Sequence, residues 1–180
     1  MTVGALLLAA GSARRMGAPK LALPIDGIPI IARAAQALAA AGLPVLLVTG
    51  AHADAVRAAV PHLPHVFAPD HAQGLSASLR AGLAALPADW SAALVALGDM
   101  PFVQPATCRA LADCLAGGAE AVVPVHAGRI GNPAGFARAR FPALAGLSGD
   151  AGARSLLGDA TRVAVDDPGI HRDIDTPEDL

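Results

Sequence analysis

The sequence predicts an α/β fold, a mostly parallel sheet flanked by helices, on three observations. Apolar runs without polar alternation recur along the chain, as in strands covered on both faces. Alanine-rich segments of helical character separate them, and strands alternating with helices make parallel sheets. Glycines and charged residues gather just after the apolar runs, where ligands bind in such folds.

The first strand is expected over residues 3–8, Val-Gly-Ala-Leu-Leu-Leu, which end at a turn signal. Further strands are expected at 45–49, 65–68, 92–97, 121–125 and 162–165, and helices at 29–41, 53–59, 76–86 and 104–114. The dense glycine and proline between His126 and Asp150 reads as a more irregular region. With 180 residues and no repeat, linker or low-complexity boundary, the chain reads as one domain over 1–180.

Composition narrows the classes of function. A hydrophobic fraction of 54% with only 3% aromatic residues predicts a core of Ala, Leu and Val. No apolar stretch approaches the roughly 18 residues of a membrane span, so no membrane partner is expected. A formal charge of -2 without a basic stripe argues against nucleic acid. Cys108 and Cys114, six apart on an expected helix, fit neither a C-x-x-C site nor a disulfide framework, which predicts a reducing, cytoplasmic setting.

The segment Leu8-Ala9-Ala10-Gly11-Ser12-Ala13-Arg14-Arg15-Met16-Gly17-Ala18-Pro19-Lys20 follows directly on the first strand. Gly11 and Gly17 let the backbone approach a ligand closely and turn N–H groups toward phosphate oxygens. Arg14, Arg15 and Lys20 add three cations, so positive charge is concentrated locally in a weakly acidic chain. The spacing matches neither G-x-G-x-x-G nor the P-loop, because five residues separate Gly11 from Gly17 and Lys20 comes three after Gly17. The basic residues also lie after the apolar run, opposite to a secretory signal. A polyphosphate site is the expectation.

Asp99 follows the expected strand 92–97 through Gly98. A carboxylate there can offer a hard oxygen to Mg²⁺. Alone it would read as a turn or helix cap. Beside the basic loop and the acidic tail it reads as a metal ligand. Asp173 and Asp175 are two apart, and with Ile174 extended both carboxylates face one side. Asp173 is expected nearer the metal, with Asp175 in support or capping a helix begun at Thr176-Pro177. Ser76 has the character of a helix N-cap preceded by the flexible Gly74. Asp150 precedes a potential helix over 151–157 that contains Arg154, a candidate second anion site. His62 and His65, near prolines and without further ligands, read as solvated loop residues.

The pattern L-A-A-G-x-x-x-R-x-G-x-P-K resembles the signature loop of the nucleotidyltransferases that make dinucleotide forms of the molybdenum cofactor. Four further segments resemble the cytidylyltransferase branch of that family: Gln73 to Gly82, Leu97 to Phe102, Ser148 to Arg154 and Asp173 to Leu180. The resemblance implies a single Rossmann-like nucleotidyltransferase domain, with nucleotide mainly over 1–100 and acceptor mainly over 101–180. It implies Mg²⁺-dependent transfer of CMP from CTP to the terminal phosphate of molybdopterin cofactor, with release of pyrophosphate. Lys20 and Arg15 would be catalytic. Leu8, Ala9, Ala10, Gly11, Ser12, Asp70, Gly74, Ser76 and Ser78 would hold the nucleotide, the helix-start residues with Asp70 lying toward base and ribose. Arg154 and Asn132 would meet the acceptor, and Asp99, Asp173 and Asp175 the metal. A recipient molybdoenzyme or its chaperone is the implied protein partner.

Two positions carry the choice among alternatives. The guanylyl branch usually has a second glycine where this chain has Ala10, so the resemblance favours cytidine over guanosine. The family's usual Gly-His-Pro is here Gly131-Asn132-Pro133, and an amide cannot replace a protonatable imidazole. A sugar-1-phosphate acceptor is the enzymatic alternative. A molybdenum cofactor carrier that transfers nothing is the non-enzymatic one.

Overall fold

The computed structural model describes residues 2–11, 19–149 and 156–179. Its elements run in the order β1 (Thr2–Ala9), β2 (Pro24–Ile25), β3 (Ile28–Pro29), α1 (Ile30–Ala40), β4 (Val45–Thr49), α2 (Ala53–Ala59), β5 (His65–Phe67) and α3 (Leu75–Ala84). They continue with β6 (Trp90–Leu97), α4 (Pro105–Ala116), β7 (Ala121–His126), β8 (Arg129–Ile130), β9 (Ala134–Ala137), α5 (Phe141–Ala145) and β10 (Thr161–Ala164). The main sheet has the order β10-β7-β9-β6-β1-β4-β5, with β8 extending along β7.

Strand β1 lies at the centre because it is apolar on both faces. It pairs in parallel with β4 and β6, placing Leu8 opposite Val48 and Leu97. Alternate residues feed two cores. Ala5, Leu7 and Ala9 pack with Ile31, Leu38 and Leu111 under α1 and α4. Leu6 and Leu8 pack with Leu79, Phe136 and Leu144 under α3 and α5. Each fully buried leucine contributes about 1.5–3 kcal/mol, so the strand that ends at the basic loop is among the best anchored in the molecule.

The expected α/β class and mostly parallel sheet hold, and the antiparallel pairings of the main sheet are those of β8 and β9. β9 runs antiparallel to both β6 and β7 and lies between them. Its sequence Ala-Gly-Phe-Ala is short, follows Pro133 and contains Gly135, signals that demote a central strand. Packing reverses that preference. A Cβ on Gly135 would sit 2.7–2.8 Å from Leu94, Val122 and Leu115, so glycine is what lets β9 enter under α4. The region expected to be irregular thus holds β8, β9 and α5.

Between the first strand and α1, β2 and β3 form a small antiparallel hairpin turned by Asp26 and Gly27, both at positive φ, as an Asp-Gly hairpin turn requires. Arg33 of α1 donates to the Ile25 carbonyl at 2.6 Å and to Asp26 Oδ2 at 3.0 Å, fixing the hairpin to the helix. This hairpin follows the turn Lys20–Ala22 and so limits where Lys20 can stand.

Candidate active site

A cavity of about 590 Å³ opens at the carboxyl ends of β1 and β6, beside the start of α3. That size suits a small-molecule ligand. Leu8, Ala9, Ala10 and Gly11, where β1 runs out, line its floor. Two glycines admit this floor between the neighbouring strands. A Cβ on Gly50 would lie 2.6 Å from the Ala10 carbonyl oxygen, and one on Gly98 would lie 2.7 Å from Ile31 Cδ1 and 3.0 Å from the Leu8 carbonyl oxygen. The Gly98 N–H donates to the Leu8 carbonyl at 2.9 Å, tying the strand that carries Asp99 to the floor.

Lys20 and Asp99 close one side of the cavity. The Lys20 ammonium donates to Asp99 Oδ2 at 3.1 Å and to Asp175 Oδ1 at 3.2 Å, and only 11% of its side chain is exposed. Burial works to lower the Lys20 pKa, but the pull and hydrogen bonds of Asp99 and Asp175 outweigh it, holding the amine above its ordinary range. At Asp99 the balance falls the other way. Burial raises its pKa most, Asp173 adds like-charge repulsion, and Lys20 offsets only part of the rise.

The acidic tail reaches this point through a buried anchor. Ile174 packs with Ile25 and Ile30, and its N–H donates to the Asp99 carbonyl at 2.9 Å. Asp173 and Asp175 flank that anchor, so both carboxylates belong to the surroundings of Asp99. Among the described residues it is Asp179 that braces the following turn, its Oδ2 accepting from the N–H groups of Asp175 and Thr176 and from the Thr176 hydroxyl.

A family model for the MobA-like NTP transferase domain matches residues 5–165. The chain belongs to the MobA-like NTP transferase family. It is therefore an NTP-dependent nucleotidyltransferase by family. Among solved structures it is similar to Rv0371c from Mycobacterium tuberculosis H37Rv, at 33% identity and TM-score 0.88 over 99% of this chain and 96% of that one. A manganese complex of Rv0371c aligns at 32% identity and TM-score 0.84, with the same coverage. A nucleotidyl transferase from Methanothermobacter aligns at 26% identity and TM-score 0.81, over 99% of this chain and 94% of that one. The bifunctional protein GlmU of Kineococcus radiotolerans is 35% identical over 140 residues, 74% of this chain and 28% of GlmU. The chain thus spans under a third of the length of the curated relatives it matches.

In this MobA-like domain the cavity brings together Leu8, Ala9, Ala10, Gly11, Lys20, Gly74, Ser78 and Asp99. Other expected site residues stand apart from its lining. Ser76 is not an N-cap: Gly74 takes that position at φ +109°, and Ser76 is buried within α3, its N–H donating to the Gly149 carbonyl at 3.2 Å. Leu75 joins the helix because glycine reaches that φ more readily than serine. Asp70 is exposed and accepts from Gln73 Nε2 at 3.2 Å, leaving Gln73 on the cavity wall in its stead. Asn132 borders a separate crevice of about 20 Å³ with Met100 and Cys108, its N–H donating to the Ile170 carbonyl at 3.0 Å. Ser12, Arg14, Arg15, Gly17, Asp150 and Arg154 lie outside the described residues.

Sequence reading noted Gln73 only as the start of the segment Gln73 to Gly82, and missed His52 on the wall and the buried Asp167 behind the tail. Of the two missed residues, Asp167 left a trace in the turn signal Asp-Pro-Gly at 167–169. No helix among the described residues is long and apolar enough to cross a membrane.

The donor set suits Mg²⁺. Among the described residues no three His, Cys, Asp or Glu side chains form a metal-binding group by themselves. Mg²⁺ does not need one, since it takes one or two carboxylates and completes its shell with phosphate oxygens and water. Asp99 and Asp173 are hard oxygen donors whose mutual repulsion a dication would relieve.

Proposed function

We propose that this chain transfers CMP from CTP to the terminal phosphate of a molybdopterin-type acceptor, releasing pyrophosphate, with Mg²⁺ as the metal. The observation that carries the proposal is the Lys20 ammonium, held between Asp99 and Asp175 at the edge of a cavity lined by residues 8–11. Cation, carboxylates and phosphate-sized space share one cleft, as phosphoryl-group transfer requires.

The chemistry asks little of the protein beyond alignment and charge. The acceptor is a phosphate monoester whose second pKa is about 6, so its oxygen is ionised at neutral pH and needs no general base. That oxygen forms a bond to the α-phosphorus of CTP, the bond from phosphorus to the β-bridging oxygen breaks, and pyrophosphate leaves with the electron pair. The backbone of Leu8, Ala9, Ala10 and Gly11 cradles the nucleotide, with Gly74 and Ser78 along its ribose side. Lys20, with Arg15, neutralises charge as it moves from the α-phosphate to the departing pyrophosphate. Asp99 and Asp173 hold the metal, and Asp175 orients Lys20. A bound dication supplies further screening of the phosphate oxygens. Support for a divalent ion comes from the related Rv0371c, crystallised with manganese.

Ala10 favours cytidine through the family pattern. A sugar-1-phosphate acceptor is the second reading, favoured by the similarity to GlmU. The test is pyrophosphate release by the pure protein, with CTP, GTP or UTP set against molybdopterin or a sugar-1-phosphate. CTP with molybdopterin is expected to dominate. Equal use of GTP defeats the cytidine assignment, release only with the sugar phosphate moves the acceptor to the second reading, and binding without release points to a carrier.

A further inference from the structure

We propose that Asp167 is a positioning residue for the metal-binding carboxylates, fixing the Asp99 turn and the Asp173 segment as one unit. The inference rests on the metal assignment proposed above. Asp167 is only 1% exposed, far from the usual place of a carboxylate. Three donors surround its carboxylate. Oδ2 accepts from the Gln104 N–H at 2.8 Å and the Thr107 hydroxyl at 2.7 Å, and Oδ1 accepts from the Gly169 N–H at 2.9 Å. The side chain lies at the start of the twelve-residue helix α4, whose dipole favours an anion.

Those three bonds join two segments that are distant in sequence. Gln104 and Thr107 begin the helix that follows the Asp99 turn, whereas Gly169 belongs to the turn Pro168–His171 that leads into Asp173. The two segments touch so closely that a Cβ on Gly169 would lie 2.0 Å from the Phe102 carbonyl oxygen. Further along, the Ile174 N–H meets the Asp99 carbonyl at 2.9 Å. From the other side, the Ile170 carbonyl accepts from the Asn132 N–H at 3.0 Å, and a Cβ on Gly131 would lie 2.5 Å from that oxygen. Asp167 therefore sits at the root of the path by which a non-strand segment delivers Asp173 and Asp175 to Asp99. Among the described residues its hydrogen-bond partners Gln104, Thr107 and Gly169 do not line the cavity and do not include Lys20, so its effect passes through the placement of the carboxylates.

An asparagine in its place turns an NH₂ toward one set of N–H or O–H donors, whichever way the amide is oriented. Loss of partners that orient metal ligands typically weakens metal binding about 10–100-fold. The test is Mn²⁺ binding to the full chain with CTP present, read from the electron paramagnetic resonance signal of free Mn²⁺ relative to the same Mn²⁺ and CTP without protein. Asp167→Asn is expected to raise the Mn²⁺ dissociation constant at least about tenfold, with CTP affinity in the absence of metal unchanged. Leu115→Ala, in the buried far end of α4, serves as a destabilised control expected to bind Mn²⁺ as the unmodified chain does. Wild-type affinity in folded Asp167→Asn, or an equal loss in Leu115→Ala, overturns the positioning role. If Asp167→Asn does not fold, Thr107→Val removes one donor and is expected to weaken Mn²⁺ binding by about threefold, below the range for full loss; unchanged affinity there overturns the role as well. An unmodified chain that binds no Mn²⁺ with CTP overturns the metal assignment itself, a result distinct from either of these.

Discussion

The two halves of the sheet reach the same cavity by different means. On one side, β6, β1, β4 and β5 run parallel, and the site residues 8–11 and Asp99 stand just beyond strand ends. On the other, β9 breaks the parallel order and the acidic pair arrives on a segment after β10 that belongs to no strand. The first half inherits its precision from the sheet ladder. The second depends on a handful of contacts: Asp167 to α4, Gly169 against Phe102, and Ile174 to Asp99. Lys20 joins the halves electrically, since one of its carboxylate partners comes from each.

Cutting that link should have the largest effect. Lys20→Ala is expected to lower turnover by about 10²–10³-fold, the loss typical of removing one charge-stabilising donor from a transition state. The thermal midpoint should move little, because Asp99 keeps 27% of its side chain exposed and can recover water. Comparable turnover by the folded variant would remove the lysine from catalysis.

Next comes the packing of the second half. Gly169→Ala drives a methyl group into the Phe102 carbonyl and is expected to cost at least about 1–3 kcal/mol, the usual penalty of overpacking. Denaturant unfolding measures it. Gly11→Ala, in the first half, meets nothing within 4 Å and should leave stability nearly unchanged. Equal losses at the two glycines would erase the contrast between the halves.

Asp99→Asn tests charge without changing shape. Its folded-state pKa lies above the ordinary 3.8, so the unfolded chain releases this proton first as pH rises. Stability contributed by the protonated group is therefore full below 3.8 and lost as pH climbs through the raised value. Across that window the midpoint of the asparagine variant should fall less than that of the unmodified chain, while its response to added Mg²⁺ with CTP disappears. A metal titration unchanged by the substitution would exclude direct ligation.

The smallest expected effect concerns Cys108. Burial, helped by the Asp167 charge, pushes its thiol up to about 12, so thiolate is scarce at neutral pH. A maleimide reagent is expected to label it only upon unfolding, as peptide mapping would reveal. Rapid labelling in the native state would mean that the start of α4 opens readily.

Much of the first half was legible because its signals are local. The apolar runs at 45–49 and 92–97 became β4 and all but the first residues of β6, and the floor at 8–11 follows directly from where β1 stops. The second half was not, because its determinants are pairings between distant residues. Gly135 reads as a strand breaker until Leu94, Val122 and Leu115 surround it. Asp167 reads as an ordinary turn residue until Gln104 and Thr107 approach from 63 and 60 residues away. Ser76 was misjudged for a local reason, since Gly74 accepts the left-handed φ and starts the helix earlier.

The ion pairs of Lys20 carry a consequence for the order of encounter. An ammonium already shared by Asp99 and Asp175 blunts the appetite of those carboxylates for a naked dication, so the free protein should sequester Mg²⁺ poorly. An incoming triphosphate offers Lys20 competing oxygens and draws it away from the acids at the moment the nucleotide's own counter-ion arrives. Loading would then be a joint event, and calorimetry should register weak heats for metal alone and strong ones once nucleotide is supplied.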